Sequence, residues 1–154
     1  AQSPLVNGLS VDVEDWFQVG AFEGVIDRHS WDGLTDRVER NCDLILQMFA
    51  EADVKATFFT LGWVAQRHGG LMRRIVDAGH ELASHGWDHA RVHTLGREAF
   101  ARDVERARKV LDAITAYLSI APPDQAARLG GQRAQQEGDG HSAGERPQGG
   151  GLGR

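Results

Sequence analysis

Three short runs of β-forming residues, each followed by helical periodicity, set the architecture open to this chain. Residues 5–13 read as a strand, with Leu9, Val11 and Val13 alternating with Ser10 and Asp12. Residues 55–61 form a second strand around Thr57-Phe-Phe-Thr60, closed by Gly62. Residues 80–84 form a third. Residues 35–52 predict an amphipathic helix: Val38, Cys42, Ile45 and Phe49 share one face, and Asp36 and Glu39 stand at capping-box spacing. A helical turn over 63–68 and a short helix over 69–78 follow, the latter ended by Gly79 at the position after a helix terminus. Residues 94–118 give the longest helix. Phe100, Val104, Ala107, Leu111, Ile114 and Leu118 form its core-facing stripe, and the charges of 97–112 form its solvated face. Strand–helix alternation of this kind predicts an α/β fold with parallel strands and right-handed crossovers. Chemistry in such sheets collects beyond the carboxyl ends of the strands.

Composition says where the folding unit stops. All four Trp, all six Phe and the single Tyr lie at or before Tyr117. Residues 121–154 carry 9 of the 19 Gly and only Leu129 and Leu152 as large aliphatics, so they cannot bury enough apolar surface to offset the entropy of ordering. The expected organisation is a domain over 1–120 and a Gly-rich tail over 121–154, disordered or an aberrant out-of-frame reading. The acidic balance, net charge −5, argues against nucleic acid as the main partner. No stretch approaches the roughly 18 apolar residues of a membrane span. No amino-terminal segment has signal-peptide character, although a chain beginning at Ala1 reads as processed or clipped. Cys42 is alone, which excludes an internal disulfide and makes it a buried small hydrophobe.

Two polar clusters sit at predicted strand ends. Asp12, Glu14 and Asp15 close the first strand and open a long aromatic loop over 15–33 with Trp16, Phe17, Phe22 and Trp31. Grouped carboxylates repel unless a cation or a proton relieves them. His85 and His89 follow the third strand at a spacing of four, which lets two imidazoles converge. One carboxylate would complete a set of three ligands for a first-row metal. His29, His68 and His93 read as surface residues, and His80 as a packing or capping residue at the start of a strand. Trp87 reads equally as a sugar platform or a cover for the loop, while Trp16 and Phe17 lean toward core packing.

The segment Leu9-Ser-Val-Asp-Val-Glu-Asp-Trp-Phe17 resembles the first motif of the polysaccharide deacetylase (NodB-homology) family. Ala78-Gly-His-Glu-Leu-Ala-Ser-His-Gly-Trp-Asp-His89 resembles the second, and Thr57-Phe-Phe-Thr-Leu-Gly62 is similar to the strand between them. The resemblance runs over about residues 5–118, and the wording around Asp12 to Phe17 is most like the exosortase- and exopolysaccharide-associated branch. It implies the amino-terminal part of a distorted (β/α) barrel, left incomplete here. It also implies a hydrolase that removes N-acetyl groups from a polysaccharide or oligosaccharide, using a divalent metal, usually zinc. Carried over residue by residue, Asp12 matches the catalytic base, His85 and His89 the metal imidazoles, and Glu14 the acidic ligand. Asp15 is the reserve ligand, and Val13 cannot bind. The family's third motif and its later general acid are not recognisable. Ser119-Ile-Ala-Pro-Pro123 is not a convincing third motif, and His141 is the only later His. Two alternatives follow: an inactive fragment that keeps a metal site, or a related amidohydrolase acting on a cyclic amide. A sheet lacking later strands is also expected to leave an apolar edge prone to association. The location stays open between bacterial cytoplasm and cell envelope.

Overall fold

A level register among three parallel strands organises the domain. The computed structural model describes residues 7–120, within one compact unit, Ala1–Ala121. Strands β1 (Ser10–Val13), β2 (Thr57–Thr60) and β3 (Glu81–Ser84) form a sheet in the order β1-β2-β3, all parallel. Val13 pairs with Thr60, and Thr60 with Ser84, so all three strands end at one height. Among the described residues the α-helices are α1 (Val38–Glu51), α2 (Gly62–Arg67), α3 (Gly69–Asp77) and α4 (Arg97–Ile120). The expected α/β class with parallel strands is therefore found. No described helix is long and apolar enough to cross a membrane.

The core follows the apolar periodicities. Val38, Cys42 and Leu46 of α1 are buried against Val13, Phe58, Leu71, Met72 and Ile75, with Ile45 and Phe49 packed at the margin. Burial pushes the Cys42 thiol up to about 11, so it stays protonated and behaves as the small hydrophobe its neighbours imply. Ala107 and Leu111 bring α4 into the core. Phe100 and Val104, from the same expected stripe, are 40% and 42% exposed and stand outside that core. The strand and tail expectations for residues 1–6 and 121–154 lie outside the described residues, as does His141.

Three local expectations need correction. α1 starts at Val38 rather than near 35, and the Asp36/Glu39 capping box does not form. Asp15 caps the helix instead: its Oδ2 accepts from Arg37 N (2.7 Å) and Val38 N (3.0 Å). His68 is buried, not a surface residue, because it fills the α2–α3 junction with Asp36 Oδ2 at 3.5 Å and Glu39 Oε2 at 3.4 Å. Burial pushes the Glu39 carboxyl up, but hydrogen bonding and charge from Arg74 and the nearby His68 leave it below its ordinary range. Trp16 is 38% exposed while Phe17 is buried, since the Trp16 indole turns out to donate to Thr35 O.

Candidate functional site

Strand periodicity puts Asp12 and Glu14 on one side of β1 and Val13 and Asp15 on the other. Val13 is fully buried and Asp15 is nearly so, whereas Asp12 is exposed and Glu14 half-buried. Asp15 is not available as a ligand. Besides capping α1, its Oδ1 accepts from Trp16 N (2.8 Å), so three backbone N–H groups occupy its carboxylate. Glu14 has no such partners, and its Oε2 is buried without a hydrogen bond.

His85 and His89 leave β3 on a loop fixed at several points. His85 N donates to Thr60 O (2.9 Å), which continues the ladder one residue past the strand. Gly62 N and Trp63 N, the otherwise unpaired first amides of α2, donate to Gly86 O (2.9 Å) and Trp87 O (3.0 Å). Gly62 has to be glycine: a Cβ there would stand 2.6 Å from Trp87 Cε3 and 3.0 Å from the Ala107 backbone. Asp103 of α4 accepts from Trp87 N (3.0 Å), and Arg106 stacks 3.4 Å from the Trp87 ring centroid. The α4 charges are thus not all solvated: these two anchor the loop. Trp87 is buried under Arg106 and against Gly62, the covering role rather than a sugar platform. At the loop's far end His89 takes a left-handed φ of 65°, a conformation that non-glycine residues adopt at some cost and that here turns its ring back toward β1.

Because β1 and β3 end level, about two strand spacings apart, their side chains meet in front of β2. Ligand-type atoms of Glu14, His85 and His89 all lie within 4.8 Å of one another. His89 Nε2 is 3.3 Å from Glu14 Oε2, and the His rings are 5.1 Å apart at 74°. Asp12 Oδ2 stands 3.9 Å from His85 Nε2. Both Glu14 Oε2 and His85 Nε2 are buried with no hydrogen-bond partner. One carboxylate oxygen and two imidazole nitrogens brought within reach of one another, with Glu14 Oε2 and His85 Nε2 unsatisfied, are the donor set of a divalent first-row metal. The residues present fit such an ion.

The loop after β1 forms a wall beside this triad. A cleft of about 490 Å³ runs from His89 along Phe17, Gln18, Glu23, Arg28 and Trp31. A hydrogen bond from Arg91 (2.9 Å), with its charge and that of Arg28, holds the Glu23 carboxyl below its ordinary range. Gln18, Asp103 and Arg106 were not among the sequence candidates. Only an acid and a base at helical spacing on an otherwise apolar-striped helix could have drawn attention to the last two.

A family model of polysaccharide deacetylases matches residues 29–124, a span that begins downstream of Asp12 and Glu14 and takes in both His. The chain is 41% identical over 78 residues to a chitooligosaccharide deacetylase of Sinorhizobium fredii, covering 51% of this chain and 34% of the relative. It is 30% identical over 81 residues to a peptidoglycan-N-acetylglucosamine deacetylase of Listeria monocytogenes, covering 51% of this chain and 17% of the relative. The match thus spans only 34% and 17% of the length of these relatives. Its fold is similar to that of a peptidoglycan deacetylase from Bacillus subtilis (TM-score 0.52, 18% identity, 71% of this chain and 44% of that one). It is equally similar to a CE4 family pseudoenzyme from Bacillus anthracis (TM-score 0.52, 22% identity, 70% and 30%), so the fold alone carries no activity. The family match covers well over half of the sequence, and the chain belongs to the polysaccharide deacetylase family.

Proposed function

We propose that this domain is a metal-dependent N-deacetylase of an N-acetylated polysaccharide or oligosaccharide, with Glu14, His85 and His89 as metal ligands and Asp12 as base. The observation that carries this is the meeting of one carboxylate and two imidazoles whose buried Glu14 Oε2 and His85 Nε2 have no other partner. The ion is taken as zinc, which His and carboxylate ligands of this kind hold in hydrolytic sites, and when bound it would supply Lewis acidity at the acetamide carbonyl.

The chain's own groups do the rest. Asp12 lies on the same side of β1 as Glu14, is exposed to substrate, and stands beside His85. Its carboxylate takes the proton from water as the oxygen adds to the carbonyl carbon. The C–N bond then breaks, the proton held by Asp12 passes to the amine nitrogen, and acetate and the free amine leave. The fixed loop holds His85 and His89 in place so that no reorganisation is needed at the moment of reaction. The three strands are read as the opening βα units of a larger barrel, with function carried by residues 1–120. The resemblance of residues 9–17 supports a member of the exosortase-associated branch.

The test is zinc content of the purified chain together with acetate release from N-acetylglucosamine oligomers. His85→Ala and His89→Ala should each lose the metal. Asp12→Asn should keep it and lose turnover by at least about 100-fold, the scale of a removed general base. Unchanged zinc in either His variant overturns the site. Metal retained with no acetate released establishes a metal-binding domain without turnover, and release confined to cyclic amides moves the chemistry to another substrate class.

A further inference from the structure

His89 reaches the triad through a backbone shape that its own residue type does not favour. Its φ of 65° is left-handed, and a non-glycine residue released from restraint returns to negative φ. That rotation would carry the imidazole away from Glu14 Oε2, 3.3 Å from its Nε2. The bonds from α2 and Asp103 hold Gly86 and Trp87, on the β3 side of the loop. Nearer to His89, the residues flanking it are tied to the loop after β1. Before it, Arg28 Nε donates to Asp88 O (3.4 Å) and stands 3.5 Å from Asp88 Oδ2. That carbonyl belongs to the peptide plane entering His89, one of the two planes whose rotation sets the residue's torsions. After it, Arg91 Nε donates to Glu23 Oε2 (2.9 Å), while Arg91 O accepts from Thr94 N (2.9 Å) at the next turn.

Glu23 joins the two halves. Its Oε2 takes Arg91 and its Oε1 lies 3.7 Å from Arg28 Nη2, so one carboxylate bridges the cations that hold residues 88 and 91. The bridge is itself braced. Glu23 ends the turn Gly20–Phe22, where its N–H bonds to Gly20 O (3.4 Å). Arg28 opens the turn Arg28–Gly33, capped by Asp27 Oδ1 accepting from His29 N (2.8 Å). A Cβ on Gly20 would stand 3.2 Å from Arg91 Nη2, so that guanidinium also packs along the loop. The four charged side chains are 27–52% exposed. Pairs this open to water add little to global stability. Their placement serves a local end instead, because the contacts cross between the loops at 88 and 91, with His89 between them.

We propose that Glu23 is a positioning residue: with Arg28 and Arg91 it clamps the loop after β3 on both sides of His89 and keeps that imidazole turned toward the triad. This rests on the metal reading for what His89 holds, but the clamp itself can be read in the metal-free chain. The experiment compares the full chain with Glu23→Gln, which keeps the shape and removes the charge, with Arg91→Gln, and with the double variant. Calorimetric titration gives the zinc Kd, and urea melts give global stability. The His89 torsion is followed without zinc by the strong intraresidue HN–Hα NOE of a residue with positive φ. Glu23→Gln should raise the zinc Kd at least about tenfold, the lower end for groups that orient a metal ligand. Arg91→Gln should raise it by less, and the double variant no further than Glu23→Gln, since one clamp is broken in all three. The NOE should weaken in each, with the urea midpoint close to wild type. An unchanged zinc Kd or an unchanged NOE in Glu23→Gln overturns the clamp, and so does a urea midpoint that falls in step with zinc affinity. If the wild-type chain holds no zinc but the NOE still weakens in the variants, the metal assignment falls and the clamp stands.

Discussion

The two ends of one small sheet treat buried polar atoms in opposite ways. At the amino end the buried imidazole is matched: His80 Nδ1 accepts from Ala56 N (3.2 Å) and its ring packs on Phe49 and Phe58, while on the exposed rim beside it Lys55 Nζ donates to Ala78 O and Thr57 to Glu81. At the carboxyl end stand all four buried side-chain atoms that lack a partner among the described residues: Glu14 Oε2, His85 Nε2, Gln18 Nε2 and Trp31 Nε1. Two follow β1 and β3 directly, and two belong to residues of the loop after β1. Stability is assembled at one end, and unsatisfied valence is kept at the other, at Glu14 and His85, for something outside the chain. That division is the physical content of placing chemistry at strand ends.

Adjacent carboxylates give the sharpest way to break this division. Glu14→Ala removes an atom that makes no hydrogen bond, so the urea midpoint should hold or rise while zinc affinity falls by more than about 100-fold. Asp15→Ala strips the acceptor from three backbone N–H groups at a helix start and should cost about 2 kcal/mol of unfolding free energy, with zinc affinity unchanged. Paired urea melts and zinc titrations of the two variants check both halves. A Glu14 variant that unfolds early while Asp15→Ala does not would erase the distinction.

The sequence made the elements legible where a signal is local. Thr57-Phe-Phe-Thr60 is a strand by β propensity, Gly79 ends α3 at a φ of 78°, and the spacing of Val38 and Cys42 fixes the buried side of α1. It was less informative where partners are distant. The cap of α1 comes from Asp15, 22 residues before Arg37, so a local capping-box pattern pointed to the wrong side chain. His68 seemed a surface residue because its acids come from around the start of a different helix, Asp36 just before α1 and Glu39 in its first turn. For the site, the two His and the acidic cluster were visible as residue types, but choosing Glu14 over Asp15 needs the pleat of β1, which turns one toward His89 and the other toward α1. Gln18 carries no signal in a single sequence, since its bond to the Asp15 amide depends on how the loop after β1 turns.

The amino end offers a smaller, pH-dependent test. Burial, with Lys55 nearby as the lesser cause, pushes the His80 imidazole below its ordinary value. Geometry agrees, because a proton on Nδ1 would set it against the Ala56 N–H that it now accepts. The unfolded chain takes up that proton near the ordinary histidine value, while the folded chain resists it. His80 therefore contributes stability that is fully present above the unfolded value and is lost as pH falls from there through the lower folded one. The slope cannot exceed about 1.4 kcal/mol per pH unit, the limit for a single proton. His80→Gln keeps an acceptor for Ala56 N and removes the titration. Its urea midpoint should fall less than that of wild type between about pH 7 and about pH 5. Equal slopes in the two proteins would mean that the matched end of the sheet contains no proton-linked group at His80, and that its stability comes from packing on Phe49 and Phe58 alone.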